Sequence, residues 1–383
     1  MFLELAVPDG SISPNARAAP DASRLLALPR LREMLSAAPY LGRVEVVSCD
    51  LFAFRLGLGA IVCVPACNEE VLLPSCLEAL GTALRAADAG AVIVVNNSCD
   101  ASAEIVRRWA ATAGAPVVCC EVRLSPPADT VAIARRLALD LAEASASRDA
   151  VLLSTDADTQ VPADWIVRMA ALIRGGAALV SAGITVDEEE ASALPPAVRR
   201  AGRVESELAQ AYQAIWERLV APEPCALLIA AGGANMAVGA RAYRAVGCLP
   251  TNQRNEDRAL TEAILAAGLP VRVDRSIAVV TSLRTEARAP HGMADAIARR
   301  CRDPDPPVDG LLVPFALFLE RALAHAAGTG TLLRGADRPL RLSEASSALT
   351  AARTYLAHLE TAHAGLPIDI ARATLAAGGP AHG

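Results

Sequence analysis

Short, uninterrupted apolar runs alternate with longer amphipathic stretches through the middle of the chain. The runs 60–65, 91–95, 117–122 and 150–154 predict buried strands, and the stretches 69–87, 98–113 and 130–146 predict the helices that join them. Continuous apolar strands separated by helices of about ten or more residues imply parallel strands covered on both faces. Ligands of such sheets bind beyond the carboxyl ends of the strands. Polar residues gather at those ends: Asn68, Asn96, Asn97, Asp156 and Asp158.

Further along, 165–173 predicts a helix, 177–186 a strand, 187–196 an acidic, proline-containing loop and 197–218 a long helix. A glycine-rich turn at 231–236 precedes helices at 240–246 and 255–267, and 271–280 predicts one or two strands. The segment 302–307, with Pro304, Pro306 and Pro307, reads as a linker. Beyond it, 311–326, 343–363 and 368–377 predict a helical C-terminal region. Residues 1–57 are weakly patterned, with a helical stripe over 21–37 broken by Pro29 and a strand pair over 44–54. The expected organisation is an N-terminal extension (1–57), an α/β domain (58–300) and a helical region (308–383).

Composition narrows the function. Of 383 residues, 53% are hydrophobic and 20% charged, which suits a folded core rather than disorder. Aromatics make up only 3% and the net charge is −6, so neither stacking platforms nor a general pull towards phosphate backbones favours nucleic acid as a partner. All fixed positive side chains are arginines, because the chain contains no lysine. The 10 cysteines are scattered without a CxxC pair, which predicts reduced core thiols in a cytoplasmic protein. No apolar run approaches about 18 residues, and 310–319 stops at Glu320 and Arg321, so no transmembrane span is expected and peripheral membrane association is the most that is left open.

Four motifs carry candidate chemistry. Asp156 and Asp158, leaving the fourth strand, place two carboxylates within reach of one hard cation such as Mg²⁺ or Mn²⁺. Pro65, Asn68 and Glu69 lie where the first strand turns into a helix, a place suited to a nucleotide and equally to helix capping. Asn96 and Asn97, with Ser98 and Asp100, follow the second strand, where Ser98 or Asp100 would also cap a helix. Glu256 and Asp257 open a helix, where the macrodipole favours carboxylates. No G-x-G-x-x-G follows a strand, and no P-loop or G-x-S-x-G occurs.

Jointly and in this order, these residues resemble the family 2 glycosyltransferases of the GT-A fold over 60–288. Ala134 and Arg135, Pro162 and Trp165, and Gly232, Gly233, Asn235 and Met236 complete the resemblance. It implies a Rossmann-like, mostly parallel sheet flanked by helices, a nucleotide-sugar donor, an acceptor hydroxyl, a divalent metal and usually inversion at the anomeric carbon. By the same resemblance Asp156 and Asp158 hold metal and donor, Arg135 lies near the nucleotide, and Gly232, Gly233 and Asn235 shape the sugar pocket. Asp257 is then the general base, with Glu256 beside it. Arg284, Arg288 and His291 follow in a loop expected over the phosphates, His291 as a further metal ligand.

Two departures stand out. The turn after the second strand normally carries Asp-Asp or Asp-Asn, whereas Asn96 and Asn97 offer amides that donate as well as accept, which leaves the donor base open. In place of the Gln-x-x-Arg-Trp of processive polymerases the chain has Thr281, Ser282, Leu283 and Arg284. The competing readings are a retaining transferase of the same architecture, an inactive sugar-nucleotide-binding protein, and a nucleotidyltransferase. The last would call for a basic, glycine-rich loop after the first strand.

Overall fold

The computed structural model describes residues 40, 42–125, 130–220, 232–251, 255–284, 293–329 and 338–361. Nine strands form one sheet: β1 (Val44–Phe52), β2 (Leu58–Ala66), β3 (Gly90–Asn96), β4 (Val117–Leu124), β5 (Ala146–Ser154), β6 (Thr159–Gln160), β7 (Leu179–Val186), β8 (Met236–Gly239) and β9 (Val271–Thr281). Their order is β1-β4-β3-β2-β5-β8-β7-β9-β6. The block β4-β3-β2-β5 is parallel throughout; β7 and β9 share its direction, and β1, β8 and β6 run against it.

Alternation along the strands divides the core into two layers. Ile61, Cys63, Val92, Val94, Val118 and Cys120 face α3 (Thr130–Ser145), whose Ile133, Leu137 and Leu141 cover them. Two later helices, α7 (Ala240–Ala245) and α8 (Glu256–Ala266), add Tyr243, Leu260 and Ile264 to this layer. Val62, Val64, Ile93, Val95, Val117 and Cys119 point the other way. There they meet α1 (Leu73–Ala87), α2 (Ser102–Thr112) and α4 (Trp165–Arg174). Each fully buried Leu, Ile or Val contributes about 1.5–3 kcal/mol of transfer free energy, which is why the apolar runs predict the strands so directly.

A third core lies apart from the sheet. Helix α5 (Glu188–Ala193) leads into α6 (Pro196–Leu219), whose Leu208, Tyr212, Ile215 and Trp216 are buried. They pack in one cluster with α10 (Phe315–Ala326) and α11 (Leu342–Thr361), the helical C-terminal region. The Tyr212 ring stacks on Phe318 at 3.9 Å between centroids, and its hydroxyl donates to Val313 O at 2.8 Å. The remaining helix, α9 (Met293–Arg302), lies against α6, where Arg300 pairs with Glu205.

Several expectations shift. The segment expected as a strand pair over 44–54 is one strand, β1, because it pairs along its whole length with β4. The acidic loop holds the short helix α5, capped by Asp187, whose carboxylate accepts from Glu189 N and Glu190 N. Helix α1 starts at Leu73 rather than 69, since the amides of Glu69 and Glu70 bond across to the neighbouring loop. The stripe over 21–37 and the helix over 368–377 lie outside the described residues. The described cysteines form no disulfide, and Cys49, Cys63, Cys76, Cys119 and Cys120 are buried. No described helix is long and apolar enough to cross a membrane.

Candidate active site

In strand order, β3 lies on one side of β2 and β5 on the other, so the loops leaving β2 and β5 diverge at a topological switch point. The loops after β2 and β3 are laced together. Asn68, at φ 53°, donates its backbone N–H to Ser98 Oγ (3.0 Å) and accepts from Cys99 N (2.9 Å) through its side-chain carbonyl. Glu69 N donates to Ser102 Oγ, Glu70 N to Asp100 Oδ2, and Ala101 N to Glu70 Oε2. Asn68 therefore ties the loops after β2 and β3 together, and neither it nor Ser98 caps a helix; Asp100 Oδ1 accepts from Ser102 N at the start of α2. Pro65 is buried inside β2, paired with Val94.

The carboxylates of the β5 loop meet two guanidiniums. Arg284 donates to Glu69 Oε2 at 2.6 Å and pairs with Asp158 Oδ2 at 3.0 Å. Burial pushes the Asp158 carboxyl up to about 6, helped by the charges of Asp156 and Glu69 and opposed by Arg284. Asp156 is bound instead by Arg135 of α3, at 2.8 Å.

Arg135 is 4% exposed and makes four hydrogen bonds. Besides Asp156 it reaches Glu256 Oε1 (2.8 Å), Ser154 Oγ (2.8 Å) and Gly233 O (3.1 Å). Burial works against its charge, but Asp156 and Glu256 outweigh burial and hold it protonated. Gly233 owes its identity to this side chain: a Cβ there would lie 2.4 Å from Arg135 Cζ. At Gly232 a Cβ would lie 2.2 Å from Ile184 Cδ1. The Cβ directions of both glycines therefore run into side chains of the protein itself.

Asn255, at φ 59°, turns the chain into α8, and Asp257 sits in the first turn. Its Oδ2 accepts from Gly233 N at 2.8 Å and its Oδ1 from Arg258 N at 2.7 Å. Burial and the neighbouring Glu256 charge push this carboxyl up to about 6, against Arg135 and the two backbone N–H groups. Perturbed carboxylates that share a crevice are a mark of a functional site.

The asparagines divide into used and unused amides. Asn235, expected at the donor, is fully buried: it donates to Gly183 O and Ile277 O and accepts from Trp165 Nε1, so it fastens β7, β9 and α4 behind the site. Asn97 clasps the Leu124 backbone, accepting from its N–H (2.6 Å) and donating to its carbonyl (2.9 Å). Asn96 is 2% exposed, and its Nδ2 has no partner among the described residues. Arg288 and His291 lie outside the described residues. Sequence reasoning passed over the Ser154 hydroxyl and Ile184. A serine closing an otherwise apolar strand is the one signal that pointed to the former.

Among the described residues no three His, Cys, Asp or Glu side chains converge on one point. Mg²⁺-type sites nevertheless need only one or two protein carboxylates, with phosphate and water completing the shell. Asp156 and Asp158 fit that donor set, since a bound cation would favour the ionised form of an Asp158 carboxyl that burial first, and the Asp156 charge second, push up.

Residues 61–243 match the family model described as Glycosyl transferase family 2. The match includes Asp156, Asp158 and Arg135 and stops short of Glu256, Asp257 and Arg284. Solved structures similar to the chain include the mannosyltransferase PcManGT of Pyrobaculum calidifontis with GDP-Man and Mn²⁺ (18% identity, 93% of this chain and 88% of that one, TM-score 0.44). Two others are TarS 1-349 of S. aureus with UDP-GlcNAc (14%, 77% and 72%, 0.43) and glucosyl-3-phosphoglycerate synthase of M. tuberculosis with Mn²⁺, UDP-Glc and phosphoglyceric acid (17%, 65% and 81%, 0.38). No curated protein matches the chain.

Proposed function

We propose that the protein moves a sugar from a nucleoside-diphosphate donor to an acceptor hydroxyl, with inversion and with Asp257 as general base, a reading that the match of residues 61–243 to the glycosyl transferase family 2 model supports. The observation that carries this reading is the linkage across the crevice. Asp156 of the β5 loop and Glu256, beside Asp257, grip one buried guanidinium. An Asp257 carboxyl near 6 is ionised at neutral pH yet basic enough to take a proton, which is the balance general-base catalysis favours.

Asp156 and Asp158 would hold a Mn²⁺ or Mg²⁺ ion, which when bound supplies positive charge to a leaving diphosphate. Arg284, already bonded to Glu69 and Asp158, brings a fixed cation to the same edge. The Asn96 Nδ2, without a partner among the described residues, offers a donor to a base. Asp257 accepts the acceptor's hydroxyl proton as that oxygen bonds to the anomeric carbon and the bond to the diphosphate oxygen breaks. Residues 58–300 form the catalytic unit in this reading, with 308–383 as an accessory helical region.

Asp257→Asn tests the reading. Nucleoside diphosphate binding, read by thermal shift with Mn²⁺, should persist, with about 2.7 kcal/mol of stabilisation at ~100 times Kd. Turnover should fall about 10²–10⁴-fold. Near-normal turnover in Asp257→Asn would remove Asp257 as the base.

A further inference from the structure

Arg135 holds both sides of the segment that presents Asp257. Its Nε bonds Glu256, the residue before Asp257, and its Nη1 bonds the carbonyl of Gly233, whose own N–H bonds Asp257. Nη2 and Nη1 anchor the same guanidinium to Asp156 and Ser154 at the end of β5. A planar fork with its donors engaged on three elements has little freedom to shift. We propose that Arg135 is a positioning residue that ties the start of α8 to the β5 loop and, with Glu256, sets the pH at which Asp257 takes up its proton. The proposal deepens the reading of Asp257 as the base and rests on it for its kinetic arm only.

The charges around Asp257 have opposite effects. On its own helix stand Glu256 and Arg258, the latter paired with Asp309 from the segment before α10. Helix α3 contributes Arg135, and β5 contributes Asp156 through Arg135. The Gly233 loop contributes a backbone N–H and no ionisable side chain. Glu256 favours the protonated acid and Arg135 the carboxylate. Neutralising either neighbour must therefore move Asp257 in a predictable direction, opposite for the two. A purely structural loss would not produce paired shifts of opposite sign.

The test is a ¹³C NMR titration of the Asp257 carboxyl in the full chain, assigned by its loss in Asp257→Asn, alongside kcat/KM against pH. Arg135→Met should raise the midpoint by about one unit or more, and Glu256→Gln should lower it by a similar amount. Arg135→Lys keeps the charge and should hold the midpoint near wild type while kcat falls through lost geometry. Midpoints unmoved, or moved in the same direction by both substitutions, would overturn the proposal. If Arg135→Met does not fold, Glu256→Gln decides alone: a lowered midpoint supports the proposal and an unmoved one refutes it. A titration that shifts as expected in an enzyme whose Asp257→Asn variant is fully active would instead sink the general-base reading and leave the coupling standing.

Discussion

Adding one methyl group to each of two adjacent glycines should have very different consequences. In Gly233→Ala the new Cβ lies 2.4, 2.6 and 2.7 Å from Arg135 Cζ, Nη2 and Nη1, so the guanidinium must retreat by about 1 Å to restore ordinary contact. It has nowhere to go, because its 2.8 Å bonds to Asp156, Glu256 and Ser154 fix it from three sides. A retreat of that size stretches those bonds past useful length and leaves buried charge poorly compensated, a change that costs about 3–5 kcal/mol when a buried pair is broken. Against a total stability of roughly 5–15 kcal/mol, that is a large fraction. In Gly232→Ala the obstacle is Ile184 Cδ1, the flexible tip of a residue 39% exposed, which swings into solvent for about 1 kcal/mol or less. Equilibrium urea unfolding followed by far-UV circular dichroism measures both. If Gly233→Ala stays within about 1 kcal/mol of wild type, or Gly232→Ala is the costlier change, then Arg135 is not immobilised as described.

Asp158 binds protons more tightly folded, near 6, than at its ordinary value of 3.8, so it detracts from stability above that window and the penalty vanishes as pH falls through it. Asp158→Asn should accordingly raise the unfolding free energy at pH 7–8 by about 1 kcal/mol or more, with the gain gone near pH 4; a gain independent of pH would refute this. Asn96→Asp replaces an unpartnered donor by an acceptor and should shift nucleotide preference towards uridine by ~1–3 kcal/mol, read by calorimetry with UDP, GDP, CDP and ADP. Asn97→Asp, which gives up the N–H donated to Leu124 O, should lose stability without changing that ranking. Chelation by EDTA should abolish nucleoside diphosphate binding and added Mn²⁺ restore it, whereas Asp158→Ala should bind equally weakly with or without the ion; metal-independent binding in wild type would disqualify the carboxylate pair as ligands.

The strands and the helices between them were legible in the chain because burial on both faces leaves a continuous apolar run, as over Ile61–Val64 or Ala91–Val95. The placement of Asp156 and Asp158 at a strand end followed from that alone. Hydrogen-bond direction was not legible. Asn68, Asn97 and Asn235 are chemically identical amides with different tasks, set by which backbone groups the fold brings near. Nor does sequence show that Arg284 meets Glu69 across 215 residues, since only the alignment of β9 beside the crevice makes them neighbours. Helix α5 escaped notice because at six residues it has no buried face to leave a period, only the Asp187 cap.

Helix α6 lies inside the stretch read as the catalytic unit, yet its buried face, with Tyr212 stacked on Phe318 and Trp216 beside His325, packs on helices that follow residue 308. The helical module is thus interrupted in the chain, one part at Pro196–Leu219 and the rest from Val308 onward. Neither part is a cassette. Trimming the chain after residue 300 would bare the α6 stripe to water, and grafting 308–383 onto a different protein would carry over half an interface. An exchange that keeps the core intact has to carry both pieces together.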